Sequence, residues 1–255
     1  MAAKDKRGPR DGACASAYDP ARRRASRAIV ASAAGVAGLA FASSRRQPVL
    51  TVYTFGDSIL DCARYNEYGV HPGALVVAND DRLFPAFRGR DLSSRMRARL
   101  EHRAVDGSRV DALPRQAERI AVEGRALAMI TIGGNDLLAG LAVDGGEGIA
   151  RFASELERFL ARLPIRPVLL GNVYDPTFGD DARNFLGVDP RIARANLERV
   201  NAALATIAPR YGELVDLHRH FLGGDASWFV RTIEPSLVGA SEVRAAFLPA
   251  VMRHA

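Results

Sequence analysis

A serine in a glycine-containing turn follows the first apolar run of the chain. Gly56, Asp57 and Ser58 come directly after the apolar residues 49–55. A glycine permits a tight turn, and a helix beginning after it would place backbone N–H groups beside the serine hydroxyl. Such a hydroxyl attacks a carbonyl carbon when a neighbouring group accepts its proton. The pattern presents the Ser58 hydroxyl at the edge of the predicted sheet, where it is available to a ligand.

Two further turns of similar composition follow the next two apolar runs. They are Asp106-Gly107-Ser108 and Gly133-Gly134-Asn135-Asp136. Glycine beside aspartate or asparagine is ordinary turn chemistry when it occurs once. Three such turns in this order, each placed after a predicted strand, form a specific pattern and direct attention to one shared site.

The elements that must position these turns alternate between strands and helices. Apolar runs predict strands at 49–55, a short one ending at Val105, 126–132, 167–173 and 213–217. Helical periodicity predicts helices at 149–163 and 191–208, and a last helix at about 236–252. Near-continuous apolar strands alternating with helices indicate a parallel sheet covered on both faces, in one domain. Ligands of such sheets bind beyond the carboxyl ends of the strands, where the three turns lie.

On these residues the chain resembles the SGNH (GDSL-like) hydrolase family. The matching segments are FGDSIL at 55–60, VDGSRVDALPRQ at 105–116 and IGGND at 132–136. The resemblance implies a flavodoxin-like three-layer α/β/α sandwich with a five-stranded parallel sheet. It also implies that Ser58 is the nucleophile and that Gly107 and Asn135 donate hydrogen bonds to the oxyanion.

The last block of the family, Asp-x-x-His-Pro, is altered in this chain. Arg231 stands where the resemblance places the aspartate, and Glu234 stands where it places the histidine that deprotonates the serine. We consider three alternatives. Glu234 is itself the base; or a histidine from elsewhere is the base and Glu234 orients it; or hydrolysis is lost and a binding pocket remains. The histidine candidates are His71, on the long connection after Ser58, and His218 and His220, after the fifth strand.

The charge and composition of the 255-residue chain differ between its two parts. Residues 1–46 carry ten basic and three acidic side chains, whereas the remainder has a net charge of −1. The basic character therefore belongs to the N-terminal tail, which we predict to be disordered, and not to the domain at 47–255, for which we predict no nucleic-acid partner. The apolar stretch 28–42 resembles a signal peptide; the location is either cytoplasmic or exported, with membrane contact only if this stretch is an uncleaved anchor.

The expected function is that of a serine esterase or acylhydrolase acting on a small or medium carboxylic ester through an acyl-enzyme on Ser58. The partner is then a small-molecule ester, and no cofactor and no metal are expected, since the two cysteines offer no zinc-binding spacing. The alternatives are a catalytically silent SGNH-like domain that binds an acylated ligand or partner, and an acyltransferase.

Overall fold

A single five-stranded parallel sheet forms the centre of the protein. The structure, a computed structural model, describes residues 49–255, so the predictions for the tail at 1–46 and its apolar stretch 28–42 lie outside the described residues. The strands have the spatial order β2-β1-β3-β4-β5. They are β1 (Leu50–Gly56), β2 (Ala98–His102), β3 (Arg125–Thr131), β4 (Val168–Gly171) and β5 (Gly212–Val215). This is the flavodoxin-like order, and it confirms the predicted fold class.

Seven α-helices and one short hairpin complete the described part of the chain. The hairpin consists of β6 (Phe229–Val230) and β7 (Glu234–Pro235), which pair antiparallel. The helices are α1 (Pro72–Val77), α2 (Leu113–Gln116), α3 (Gly134–Leu138), α4 (Glu147–Arg162), α5 (Pro190–Ile207), α6 (Leu217–Leu222) and α7 (Leu237–His254). The three longest helices lie within two residues of the bounds that the hydrophobic periodicity predicts. No helix of residues 49–255 combines the length and apolar character that a membrane span requires.

The sheet separates two hydrophobic cores, which gives the structure its three layers. All seven residues of β1 are buried, as expected for a strand with neighbours on both edges and helices on both faces. Because side chains alternate along a strand, Tyr53 and Phe55 pack into the core formed with α4 and α5. Leu50 and Val52 point to the opposite core, formed with α1 and α7.

The second strand ends earlier than the sequence indicates. It stops at His102, and the prediction that it extends to Val105 is wrong. The regular ladder ends because Gly56 N, which a continuing parallel strand would engage, donates to Gln116 Oε1 at 2.7 Å. Only the bonds in the other direction persist: Arg103 N donates to Thr54 O at 2.9 Å and Val105 N donates to Gly56 O at 3.0 Å. The turn at Gly107 is therefore held close to the end of β1, although no regular strand leads into it.

The strand order leaves a crevice at the carboxyl end of β1. The chain leaves β1 toward β2 on one side and returns to β3 on the other, so β1 and β3 are adjacent strands whose following segments diverge. Sheets of this kind bind ligands at such a switch point. The turns carrying Ser58 and Asn135 follow β1 and β3 respectively.

Candidate active site

Ser58 lies in a turn whose shape depends on the glycine two residues before it. Gly56 has φ +114°, and a Cβ at this position would lie 1.7 Å from the carbonyl oxygen of Thr131. The close approach of β1 and β3 continues into the turn, because Asp57 N donates to Thr131 O at 3.2 Å and Thr131 Oγ1 donates to Asp57 Oδ1 at 2.8 Å. These contacts fix the turn and leave Ser58, which is 8% exposed, at the wall of a pocket.

Gln116 joins this turn to the one that contains Gly107. Its Oε1 accepts from Gly56 N at 2.7 Å, and its Nε2 donates to Gly56 O at 2.8 Å and to Ser108 Oγ at 3.0 Å. Gly107 itself has φ +78°, a backbone conformation that residues other than glycine rarely adopt. The buried amide of Gln116 thus fixes both turns relative to each other.

Asn135 enters the same region from the start of α3. Gly133, with φ +115°, precedes this helix, and Asn135 Nδ2 donates to Ser108 O at 3.1 Å. Asn135 and Ser58 line the same pocket, and Gly107 is covalently next to the residue whose carbonyl Asn135 contacts. The structure therefore brings the three predicted turns together at one edge of the sheet.

The hairpin β6–β7 presents Glu234 to the site and is held by aromatic packing. Phe229 packs against Tyr174 with ring centroids 5.1 Å apart and against Phe221 at 5.5 Å. Tyr174 Oη donates to the carbonyl oxygen of Ile233 at 2.6 Å. On the far side of Glu234, Ser236 Oγ accepts from Gly239 N at 3.1 Å and begins α7. Glu234 is thus fixed on both sides by its neighbours in the chain.

The carboxyl group of Glu234 lies beside the Ser58 hydroxyl in a partly desolvated position. Burial raises the pKa of Glu234, and the hydrogen-bonding influence of Ser58 is the largest effect that lowers it. Glu234 Oε2 is buried and has no hydrogen-bond partner within residues 49–255, so the approach of Ser58 is looser than a standard hydrogen bond. Arg231 lowers the pKa of Glu234 only in part, since its guanidinium lies over the ring of Tyr65, 5.3 Å from the centroid. A buried acceptor without a donor requires an explanation, and a proton-transfer role gives one.

The structure does not bring the three candidate histidines to Ser58. The His71 ring packs against that of His102 with centroids 4.2 Å apart, and burial lowers the pKa of His71 to about 4. His218 Nδ1 lies 3.2 Å from Val173 O, and His220 Nε2 lies 2.9 Å from Glu242 Oε2. In the described part of the chain none of the three hydrogen-bonds to Ser58 or lines its pocket, so Glu234 is the base candidate that the geometry favours.

Two further carboxyl groups beside the site have raised pKa values. Burial raises the pKa of Asp57 to about 7 and that of Asp136 to about 6. Asp57 accepts hydrogen bonds from Thr131 and Ile59, and Asp136 accepts from Val110 N at 3.3 Å; these bonds oppose the shift in part. Both groups hold turns in place through the backbone, as distinct from Glu234, whose Oε2 contacts no donor.

The raised pKa of Asp57 predicts a pH-dependent loss of stability. The folded protein holds a proton on Asp57 up to about pH 7, whereas the unfolded chain releases it near pH 3.8, so stability falls as the pH rises between these values. We expect the free energy of unfolding of the wild type to fall about 2–3 kcal/mol more than that of Asp57→Asn between pH 4.5 and pH 8. Urea unfolding of both proteins at the two pH values measures this difference. Parallel curves would contradict the assignment.

The pocket beside Ser58 and Asn135 is bounded by α3, α5 and the segment after β4. It encloses about 840 Å³ when its open mouth is included. Arg194 of α5 holds the segment after β4 in place: its Nη1 lies 2.9 Å from Asp175 Oδ2, and it also pairs with Asp181. Within residues 49–255, no group of three or more potential metal-ligating side chains occurs.

One protein family matches most of the chain. The model of the GDSL-like lipase/acylhydrolase family matches residues 54–236, a range that begins in β1 and ends just before α7. The chain belongs to this family. The match spans all the turns described above and extends through Glu234, the residue that departs from the expected last block. No curated protein matches the chain significantly.

Solved structures of several enzymes share the fold at low sequence identity. LAE5, an alpha/beta hydrolase enzyme from the metagenome of Lake Arreo, is 21% identical over 80% of this chain and 95% of its own, with a TM-score of 0.55. Axe2, an acetylxylan esterase of Geobacillus stearothermophilus, is 18% identical over 80% and 94%, with a TM-score of 0.56. The lipase Lip_vut3 from a goat rumen metagenome is 15% identical over 79% and 97%, with a TM-score of 0.57. These similarities support the SGNH three-layer fold.

Several residues of the site were not singled out from the sequence. Gln116 is the last residue of the family-like segment 105–116, but its buried amide, which joins two turns, has no sequence signature of its own. Asp175 and Arg194 lie 19 positions apart and meet only through the fold. The available signal was Asp175 itself, because a polar residue just after the predicted strand 167–173 lies at the ligand-binding edge of the sheet.

Proposed function

We propose that this protein is a serine esterase that hydrolyses small or medium carboxylic esters through an acyl-enzyme on Ser58, with Glu234 as the general base. The observation that carries the proposal is the position of the Glu234 carboxyl beside the Ser58 hydroxyl, at the wall of a pocket that Asn135 also lines. Membership of a hydrolase family supports the reaction class. In residues 49–255 the three candidate histidines lie away from Ser58, which supports Glu234 as the base.

In the first half of the proposed reaction, Glu234 takes the proton of Ser58 Oγ as this oxygen bonds to the ester carbonyl carbon. The carbonyl oxygen becomes negatively charged and accepts hydrogen bonds from Ser58 N, Gly107 N and Asn135 Nδ2. One hydrogen of the Asn135 amide is held by Ser108 O, which orients the other for this role. The tetrahedral intermediate collapses when the C–O bond to the alcohol breaks, and Glu234 returns the proton to the leaving oxygen.

In the second half, water repeats these steps on the acyl-enzyme. Glu234 takes a proton from water, the hydroxide oxygen bonds to the acyl carbon, and the carboxylic acid leaves as Ser58 recovers its proton. A carboxylate is a weaker base than an imidazole, and burial compensates in part because it raises the pKa of Glu234 above its ordinary value. The base form exists above this raised pKa, so the proposed enzyme loses activity as the pH falls through it.

Loss of the Asn135 amide is expected to slow the chemical step. Asn135→Ala removes one oxyanion donor, and we expect kcat for p-nitrophenyl butyrate to fall about 10²–10³-fold with little change in KM. The matched control is Asn184→Ala, since Asn184 also lines the pocket but donates to Val188 O at 2.6 Å. An equal fall in kcat for both variants would contradict a specific role for Asn135.

An acyl-enzyme is revealed by competition between water and another alcohol. We expect the purified protein to release p-nitrophenolate from p-nitrophenyl butyrate and, with methanol present, to form methyl butyrate at the expense of butyrate. Gas chromatography of both products measures this partition. Release no faster than in buffer would contradict the proposal and favour the silent, ligand-binding alternative.

A further inference from the structure

The pocket beside Ser58 has apolar walls on several sides. Its wall residues are contributed by α3, by the end of β4, by the segment that follows β4 and by α5. They include Leu137, Leu138, Val173, Phe185, Leu186 and Leu197. Two of them, Leu138 and Phe185, are also among the large apolar side chains that the protein leaves exposed. The charged residues of the lining, Asp175, Asp181 and Arg194, pair with one another. A pocket of this composition favours a hydrocarbon ligand over a sugar, whose hydroxyl groups require hydrogen-bond partners.

The position of Glu234 shows which part of an ester enters this pocket. The base must protonate the leaving alcohol, so the alcohol lies on the Glu234 side of Ser58. That side is polar: Asp106 accepts from Tyr65 Oη at 2.6 Å and pairs with Arg64 at 3.1 Å, and Arg231 lies over the Tyr65 ring. Ser58 and Asn135 line the apolar pocket, whereas Glu234 does not. The acyl part therefore points into the apolar pocket.

The walls of the pocket are fixed by polar contacts between their elements. Asn196, which is 1% exposed, donates from Nδ2 to Ala142 O at 3.0 Å and to Asp144 O at 3.1 Å, joining α5 to the segment after α3. Arg194 joins α5 to the segment after β4 through Asp175 and Asp181. A wall held on both sides keeps its shape without ligand, which lowers the entropic cost of ordering an acyl chain.

We propose that this pocket binds the unbranched acyl chain of a medium-chain ester and makes the enzyme prefer such esters over acetates. Ala193 of α5, together with Phe185, determines the length of chain that fits. Ala193 is a small, buried residue of the wall, and Phe185 lies at the mouth. This inference rests on the proposed function for its catalytic consequence, but binding of the chain does not require hydrolysis.

The first test is a series of p-nitrophenyl esters with two, four, eight and twelve carbons in the acyl chain. Burying one methylene contributes up to about fourfold in affinity. With partial burial we expect kcat/KM for octanoate to exceed that for acetate about 50-fold or more, and the dodecanoate to gain nothing beyond octanoate. A constant or falling kcat/KM from acetate to octanoate would overturn the proposal.

Two pairs of variants assign the selectivity to the pocket. Ala193→Phe fills the wall, whereas Ala195→Phe places the same side chain on the exposed face of the same helix. Phe185→Ser removes an apolar side chain of the mouth, whereas Ile192→Ser removes one of similar exposure outside the pocket lining. We expect the octanoate-to-acetate ratio of kcat/KM to fall about tenfold or more in Ala193→Phe and about threefold in Phe185→Ser. It stays unchanged in Ala195→Phe and Ile192→Ser. Because Phe185 is exposed, we expect Phe185→Ser to fold, so this variant still tests the proposal if Ala193→Phe does not fold.

Binding to Ser58→Ala separates this inference from the proposed function. Octanamide and acetamide are neutral probes that present a carbonyl without a scissile ester, and calorimetry measures their binding. We expect octanamide to bind Ser58→Ala at least about tenfold more tightly than acetamide, and the preference to disappear in Ser58→Ala/Ala193→Phe. The preference without any esterase activity would sustain the pocket assignment and refute the esterase. Esterase activity with no preference for octanamide would refute the pocket assignment alone.

Discussion

Replacement of Ser58 by alanine is expected to lower kcat/KM for p-nitrophenyl butyrate by about 10³-fold or more. Without the hydroxyl there is no covalent intermediate, and the remaining groups only hold and polarise the ester; the loss of a nucleophile removes most of the rate that such a unit provides. Ser58 lies in a turn fixed by backbone contacts of Gly56 and Asp57, so removal of its Oγ leaves the turn in place. Initial rates over a range of ester concentrations measure the change.

The matched control for this variant is a serine far from the pocket. Ser154 lies on α4, is exposed, and donates only to the carbonyl of Ala150 at 2.9 Å. We expect Ser154→Ala to retain the rate of the wild type within about twofold. If Ser58→Ala retained the wild-type rate as well, the hydrolysis would not pass through an acyl-enzyme on Ser58.

Replacement of Glu234 by glutamine is expected to lower kcat/KM about 10²–10⁴-fold. The amide has nearly the same shape as the carboxyl group but cannot accept the proton of Ser58 Oγ. Glu242→Gln is the control, because Glu242 is a partly buried carboxylate of α7 that pairs with His220 at 2.9 Å. We expect Glu242→Gln to remain within about threefold of the wild type. The same measurement tests His220, which loses its acidic partner in that variant.

The pH profile identifies the titrating group. Proton acceptance requires the deprotonated carboxylate, so kcat/KM of the wild type rises with pH through the raised pKa of Glu234 and is level above it. This limb is expected to disappear in Glu234→Gln and to persist in Asp57→Asn. A limb that persists in Glu234→Gln and disappears in Asp57→Asn would assign the titration to Asp57 and contradict the role of Glu234.

Restoring the family's last block offers a gain of function from the same position. Arg231→Asp/Glu234→His recreates the Asp-x-x-His spacing on the β6–β7 hairpin, next to the Ser58 hydroxyl. An imidazole has an ordinary pKa of about 6.5, so we expect the double variant to exceed Glu234→Gln by about 10²-fold and its ascending limb to lie near this pH. Activity equal to that of Glu234→Gln would show that position 234 is not aligned for proton transfer.

The fold was largely predictable from hydrophobic patterning, and its errors have local causes. The runs that became β1 and β3 are nearly all apolar because both strands are buried on both faces. The end of β2 was misplaced because β2 is an edge strand whose residues are only partly buried. At such an edge, exposure to solvent influences which residues occur as strongly as strand pairing does, so an apolar run does not mark the end of the strand. Backbone bonds from Arg103 and Val105 to β1 continue beyond the strand without any sequence signal.

The turns of the site were predictable because parallel strands end at the same edge of a sheet. Ser58, Asn135 and the turn at Gly107 each follow a predicted strand, and the strand order brings them together. Glu234 was predicted as a site residue because it occupies the histidine position of the altered last block. The choice between Glu234 and His71 was not accessible to sequence, because it depends on which of two long connections passes the serine. The His71 ring packs against His102, whereas aromatic packing of Phe229 brings Glu234 to the site.

The residues that form the pocket walls could not be predicted from the sequence, because they come from segments that meet only in the folded chain. Phe185, Leu186 and Leu197 belong to segments whose contact is set by the Arg194 ion pairs and by the packing of α5. A periodic apolar face on α5 predicts core packing equally well. Only the relative position of the segment after β4 shows that part of this surface faces an opening instead of the core.

Covalent labelling with an alkyl fluorophosphonate tests the central claim most directly. This reagent phosphonylates a serine only when the hydroxyl is activated beside an oxyanion site, with loss of fluoride. Intact-mass analysis and peptide mapping of the wild type are expected to show one adduct per chain, located on Ser58, forming at least about 10²-fold more slowly in Glu234→Gln. Absence of an adduct on Ser58, or labelling at the same rate in Glu234→Gln, would contradict the pairing of this serine with this carboxylate.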